Sequence, residues 1–217
     1  MFMQENVGQD WFLKAKLFLV LDRDAAHPRT LEEVTELAIT GGVQAVVLRM
    51  IDAQIKDILD EGRKVGALCK KGGVPFILSH NPRLSQILHP DGVHLGKRDL
   101  PIPDVKRLAP RGTIIGYSAH SVEEAMKAVE LGADYFFLGP IFPTPSKLKY
   151  GPPLGVGIIS EIPKEILPRA VFIGGIDEKN VLELKKLGGR RIAVIRAINS
   201  AENIIAAVRR LLELLED

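Results

Sequence analysis

Short apolar runs recur along this 217-residue chain, and side chains able to hold or move charge follow most of them within a few positions. Arg49 follows one such run, Ser79 and His80 another, and His94, Lys97 and Asp99 cluster about the next. Ser118 and His120 come later, then Thr144, Ser146 and Lys147, then Gly174-Gly175, and finally Arg196, Asn199 and Ser200. Cations, hydroxyls and imidazoles in this proportion form the donor set of an anion site. An imidazole also titrates close enough to neutrality to move a proton. Gly174-Gly175 leave an apolar run directly, and Asp177 is expected to cap the helix beyond them. Two glycines permit close backbone approach, and a helix start presents free N–H groups and a positive dipole end, the combination that holds phosphate. Arg196 to Ser200 lead into the last helix in the same way.

The segment from Gly139 to Gly155 carries a related signal. The apolar run Tyr135-Phe136-Phe137-Leu138 ends in Gly-Pro and opens into a loop stiffened by further prolines, with Lys147 near its tip. A long loop inside a compact domain is usually a lid or a binding loop. A cation at its tip suits closure over an anion.

These residues need elements to position them. Candidate strands are Leu17–Leu21, Ala45–Leu48, Phe76–Leu78, Gly92–His94, Thr113–Gly116, Tyr135–Leu138, Ala170–Ile173 and Ile192–Ile195. Amphipathic helical patterns cover Thr30–Thr40, Ala53–Lys70, Val122–Leu131, Glu178–Leu187 and Ala201–Leu215. Strands alternating with helices imply parallel pairing with both sheet faces covered. Gly41-Gly42, Gly132 and Gly188-Gly189 each close a helix ahead of a strand, as a left-handed helix cap does. The pattern predicts a single α/β domain, a (β/α)8 TIM barrel over residues 16–217, with a doubly wound open sheet as the fallback. Residues 1–15 form an N-terminal extension, expected as an extra helix over the barrel bottom. In such a barrel the chemistry sits at the C-terminal ends of the strands, and phosphate sites use the loops after strands seven and eight.

Composition excludes several classes. The formal charge of +2 and the absence of like-charge blocks give no nucleic-acid surface. The single cysteine, Cys69, allows no disulfide within the chain and no multi-Cys metal site, and its helical setting reads as core. No secretory signal and no membrane-length apolar run is visible. A cytoplasmic protein without membrane or nucleic-acid partners is the expectation; the oligomeric state is not legible.

Five ordered motifs carry a resemblance. Gly92-Val-His-Leu-Gly-Lys-Arg-Asp-Leu-Pro101, Ile115-Gly-Tyr-Ser-Ala-His-Ser121, Gly132-Ala-Asp-Tyr135, Gly139-Pro-Ile-Phe-Pro-Thr-Pro-Ser-Lys147 and Ile173-Gly-Gly-Ile176 resemble the motif series of thiamine phosphate synthases and their sister thiazole tautomerases. The resemblance implies a (β/α)8 barrel that couples hydroxymethylpyrimidine pyrophosphate to a thiazole phosphate in thiamine biosynthesis, with magnesium holding the departing pyrophosphate. It also implies roles: Arg49 on the pyrophosphate, Asp99 as a magnesium ligand, Ser118 and His120 along the pyrimidine and thiazole pocket. Thr144 and Lys147 close over the substrate phosphates, with Ser146 beside them, and Gly175 meets the thiazole phosphate through its N–H.

The sequence also departs from the family. Where the family shows Gln-Leu-Arg-Glu-Lys, this chain reads Val47-Leu-Arg-Met-Ile51; where it shows Asn-Asp, the aspartate a second magnesium ligand, Ser79-His80 stand. Lys97 replaces a glutamine and Arg196 a small residue near the thiazole phosphate. One carboxylate makes a poor magnesium site. Three readings follow: a divergent synthase, a metal-independent thiazole tautomerase with His120 as its acid–base group, and a non-catalytic binder of a phosphorylated ligand.

Overall fold

The computed structural model describes residues 10–144 and 152–216. In chain order the elements are α1 (Asp10–Lys14), β1 (Leu17–Leu21), α2 (Arg23–Ala26), α3 (Leu31–Gly41), β2 (Ala45–Arg49), α4 (Ile55–Gly72), β3 (Phe76–Ser79) and α5 (Ser85–Leu88). They continue with β4 (Gly92–Leu95), α6 (Ile102–Leu108), β5 (Ile114–Ala119), α7 (Val122–Glu130) and β6 (Tyr135–Leu138). The series ends with β7 (Ala170–Ile173), α8 (Val181–Lys186), β8 (Ile192–Val194), α9 (Arg196–Asn199) and α10 (Ile204–Leu215). The strands close as β1-β2-β3-β4-β5-β6-β7-β8, a (β/α)8 barrel. Every pairing in it is parallel.

Alternation along the strands separates two cores. Phe18, Val20, Ala45, Val47, Ile77, Tyr135, Phe137, Val171 and Ala193 pack together inside the barrel. Leu19, Leu21, Val46, Leu48, Leu78, Phe136, Phe172 and Val194 belong to the layer beneath the helices. The helices supply the outer half of that layer because their apolar residues recur at helical spacing. In α3 these are Leu31, Val34 and Ala38, and the helix starts at a capping box between Thr30 and Glu33.

Below, the barrel is filled rather than hollow. Phe12 of α1 stacks on Tyr135 with ring centroids 5.0 Å apart, and the His94 ring lies 5.5 Å from Tyr135 and 4.1 Å from Phe137. Arg191, just before β8, donates from its guanidinium to the carbonyls of Phe12, Leu13 and Pro168, tying α1 to the lower rim. A Cβ on Gly116 would sit 2.2 Å from Tyr135 Cζ, so only glycine leaves room for the phenol.

Several boundaries differ from the sequence expectation, and two matter for the site. β5 runs from Ile114 to Ala119, not Thr113 to Gly116, because Ser118 and Ala119 still pair with Phe137 and Leu138. Ser118 is therefore a strand residue. The last helix, expected from Ala201, starts at Ile204 behind an Asn203 cap, and the separate short α9 turns out of β8. α8, expected from Glu178, starts at Val181. Asp177 does not cap it directly. Its carboxylate accepts the Lys179 N–H at 2.9 Å, and its own N–H donates to Asn180 Oδ1 at 2.9 Å, so a turn precedes the helix.

Candidate active site

Continuing the interior alternation past the upper strand ends brings Asp22, Arg49, Ser79 and Ser118 to the mouth of the barrel. In a closed ring of eight, β3 lies across from β7, β2 from β6, and β4 from β8. The mouth thus has two facing sides, one following β2 to β4 and the other following β6 to β8.

On the first side, Arg49 meets a partner that the sequence reading missed. Its Nη1 donates to Asp22 Oδ2 at 2.5 Å, both groups being partly exposed. The other Asp22 oxygen accepts the Ala25 N–H at 3.2 Å as the cap of α2. An aspartate directly after a fully buried five-residue strand was the available signal. Beyond β3, His80 and Asn81 adopt left-handed backbone, φ 64° and 49°. The His80 N–H donates to the His94 carbonyl at 2.9 Å. His80 Nδ1 lies 2.6 Å from Asp99 Oδ2, which also accepts the Gly96 N–H at 2.7 Å. Burial works against the Asp99 carboxylate, but the His80 bond and the N–H groups of Gly96 and Asn81 outweigh it and hold its pKa below the usual carboxylate range. Lys97 and Arg98 stand exposed beside this pair.

The floor between the two sides is a buried polar ladder. His94 Nε2 lies 2.8 Å from Ser118 Oγ and its Nδ1 3.2 Å from the Tyr135 hydroxyl. Burial, aided by the nearby His80, pushes the His94 pKa down to about 3, so its imidazole is neutral. His94 therefore orients Ser118 without contributing charge. The Cys69 thiol, buried under α4 and pushed up to about 12 by burial, takes no part in the mouth.

On the second side the chain folds back on itself. The Ile141 and Phe142 N–H groups donate to the Ile173 and Gly174 carbonyls at 3.0 and 2.9 Å, while Leu154 and Gly155 donate to Pro140 and Ile141. Gly174 and Gly175 have φ 100° and 68°. A Cβ on Gly174 would lie 2.6 Å from Pro140 Cα, and one on Gly175 2.7 Å from the Pro143 carbonyl oxygen. The glycine pair thus makes room first for the root of the loop, and the close approach expected for a ligand is also a close approach of the protein to itself. The Gly175 carbonyl is held by Asn180 Nδ2 at 2.8 Å. Arg196 Nη2 donates to the buried Thr144 Oγ1 at 2.7 Å, joining two predicted site residues. Ser146 and Lys147 lie outside the described residues.

His120 sits exposed after β5, and its Nδ1 is 2.6 Å from the Gly139 carbonyl oxygen. A carbonyl only accepts, so Nδ1 carries a proton, and in the neutral form of the ring Nε2 holds the lone pair. The His120 N–H donates to Glu124 Oε2, and Ser121 caps α7 through the Glu124 N–H.

Asn199 departs from its expected role. It is fully buried, with Nδ2 donating to the Val20 and Ile195 carbonyls at 2.9 and 2.8 Å and Oδ1 accepting the Asp22 N–H at 3.4 Å. Its polar atoms brace β1 against β8 instead of facing a phosphate. The donor set also fails to fit a protein-held magnesium ion. Asp99 is already bonded to an imidazole and backbone N–H groups, Asp22 is paired with Arg49, and among the described residues no three His, Cys, Asp or Glu converge on a metal-sized site. Magnesium takes oxygen ligands and is normally held by carboxylates together with phosphates.

A closed (β/α)8 barrel with charged and hydroxyl side chains gathered at the C-terminal ends of its strands has the layout of an enzyme of that fold. The thiamine monophosphate synthase family matches residues 17–198, and the chain belongs to that family. The chain is 38% identical to the thiamine-phosphate synthase of Shouchella clausii over 192 residues, 88% of this chain and 92% of that one. It is 36% identical to the thiamine-phosphate synthase of Methanocella arvoryzae over 195 residues, 90% and 92% of the two chains. Among solved structures it superposes on the thiamine phosphate pyrophosphorylase of Pyrococcus furiosus with TM-score 0.82 and 31% identity, covering 95% of this chain and 98% of that one. Membership places the chain among enzymes of thiamine biosynthesis, transferases in the broad sense. No helix among the described residues is long and apolar enough to cross a membrane.

Proposed function

We propose that this chain joins a pyrimidine carried as its methyl diphosphate to a thiazole phosphate, giving thiamine phosphate and pyrophosphate. The observation that carries the reading is the pair of anion-suited sides facing one another across the mouth. Arg49 and the His80 corner suit a diphosphate; Gly175, Thr144 and Arg196 suit a phosphate monoester. The bond from the methylene carbon to the diphosphate oxygen breaks, its electron pair leaving on pyrophosphate, and the thiazole nitrogen lone pair forms the new C–N bond. The reacting carbon would sit over the floor of Ser118, His94 and Phe137, which Tyr135 and Phe12 pack from below. Fixed cations help here because a diphosphate departs readily only when its charge is stabilised. Mixing the purified chain with both substrates and following thiamine phosphate by fluorescence tests the reading. Absence of product at every divalent-metal condition, chelator included, would sink it.

A second reading has its own observation. His120 spends Nδ1–H on Gly139 and leaves Nε2 as a base, the arrangement a thiazole tautomerase needs to move a proton on a thiazole carboxylate phosphate without metal. Under that reading isomerisation persists in chelator and falls about 10²–10⁴-fold in His120→Asn, the usual contribution of a positioned acid–base group.

A further inference from the structure

We propose that this chain binds diphosphate without a magnesium ion held by its own side chains, the His80–Asp99 pair having closed the position where a metal would sit. The inference rests on the diphosphate side of the reading above.

The Asp99 carboxylate at this corner is already engaged, and among the described residues no three His, Cys, Asp or Glu gather around it as metal ligands would. Oδ2 takes both the His80 ring nitrogen at 2.6 Å and the Gly96 N–H at 2.7 Å, and the Asn81 N–H also bonds to the group. A metal would have to displace donors that are already in place. Asp22, the acid that follows β1, is bound to Arg49.

The pairing is built in rather than incidental. His80 and Asn81 both hold left-handed backbone, a conformation that non-glycine residues keep where the surrounding structure fixes it. The His80 N–H on the His94 carbonyl fixes that turn, linking the corner to β4. Gly96 provides the space: a Cβ there would lie 2.9 Å from His80 Cε1, inside contact distance. Asp99 Oδ2 and the ring nitrogen follow at 3.7 Å, so the glycine, the left-handed turn and the carboxylate together define where the imidazole goes. Opposite charge for the ligand then comes from fixed cations that need no metal: Arg49 at the end of β2, and the exposed Lys97 and Arg98 in the loop after β4.

Calorimetric titration of the full chain with inorganic pyrophosphate, in chelator and in magnesium, reads the inference directly. The dissociation constant is expected to agree within about threefold between the two conditions, a difference well under the tenfold that 1.4 kcal/mol represents. Manganese, used alone as a paramagnetic stand-in, should keep its free-ion resonance when mixed with the wild-type chain. The His80→Asp variant, which removes the ring and adds a second carboxylate, should lose about tenfold or more in chelator and recover with magnesium, as a carboxylate pair completed by phosphate oxygens would. Wild-type binding that needs magnesium, stoichiometric manganese uptake by the wild type, or no pyrophosphate binding at all would each overturn the inference. Because the wild-type arms carry it, a misfolded variant does not blunt the test. Magnesium-dependent binding with intact synthesis overturns this inference alone. Metal-free binding without synthesis overturns the proposed reaction alone.

Discussion

Replacing Asn199 by alanine separates a structural brace from a ligand contact. The side chain donates to the Val20 and Ile195 carbonyls at 2.9 and 2.8 Å inside a fully buried corner, and accepts only a long 3.4 Å bond from Asp22. Losing two good hydrogen bonds costs about 1 kcal/mol each, and the emptied space adds about another, giving ~3 kcal/mol in all. For a chain of this size each kcal/mol moves the melting temperature by about 2–4 °C, so a fall of about 6–12 °C is expected. Asn199→Asp should be worse, since it keeps the acceptor, discards both donors and buries a charge against carbonyl oxygens. Scanning calorimetry measures both variants; a Michaelis analysis with the phosphorylated substrate accompanies it. A melting temperature within about 2 °C of wild type, combined with a raised KM, would refute the brace and restore Asn199 to the ligand.

Gly174→Ala forces a Cβ to 2.6 Å from Pro140 Cα on backbone at φ 100°. It should cost about 2–4 kcal/mol by thermal or urea unfolding, whereas an alanine that leaves stability unchanged would mean the loop root is not packed as described. His94 stays neutral when folded, its pKa being about 3, but takes a proton when unfolded below its ordinary value near 6.5. The unfolded state therefore gains protons as pH falls through that window, and stability drops by up to about 1.4 kcal/mol per pH unit between roughly pH 6.5 and 3. His94→Gln should flatten that part of the stability–pH curve by about one proton; an unchanged slope would count against it. Cys69, buried with its thiol pushed up to about 12, should resist alkylation in the native chain and react on unfolding. Fast native-state labelling would contradict its placement under α4.

The strands were legible because each is a short apolar run, and a barrel buries both faces of every strand. What lies at their ends was legible only in part. Arg49 and Ser118 were found by position, but their partners could not be: Arg49 meets Asp22 27 residues back, and Arg196 meets Thr144 52 residues back. The His80–Asp99 contact spans 19 residues and depends on two successive left-handed residues; His and Asn tolerate that conformation better than most, but their types alone do not say that both adopt it. Asn199 misled for a different reason. A polar residue after a strand reads as exposed, yet three backbone groups at the β1–β8 seam needed satisfying, and a buried amide does that with one side chain. The strand that carries Ser118 reads as ending at Gly116 because Tyr-Ser-Ala looks like the start of a loop, while the pairing of Ser118 with Phe137 continues it.

The family match begins at residue 17, but the ring that closes the barrel's axis from below belongs to Phe12. Homology and folding therefore draw the edge of this protein in different places. An expression fragment trimmed to the recognised family region would expose the underside of Tyr135 and, through the Tyr135–His94–Ser118 ladder, loosen the floor of the mouth from the far end of the molecule. Through Phe12, the five residues of α1 thus support a floor that lies at the other end of the barrel.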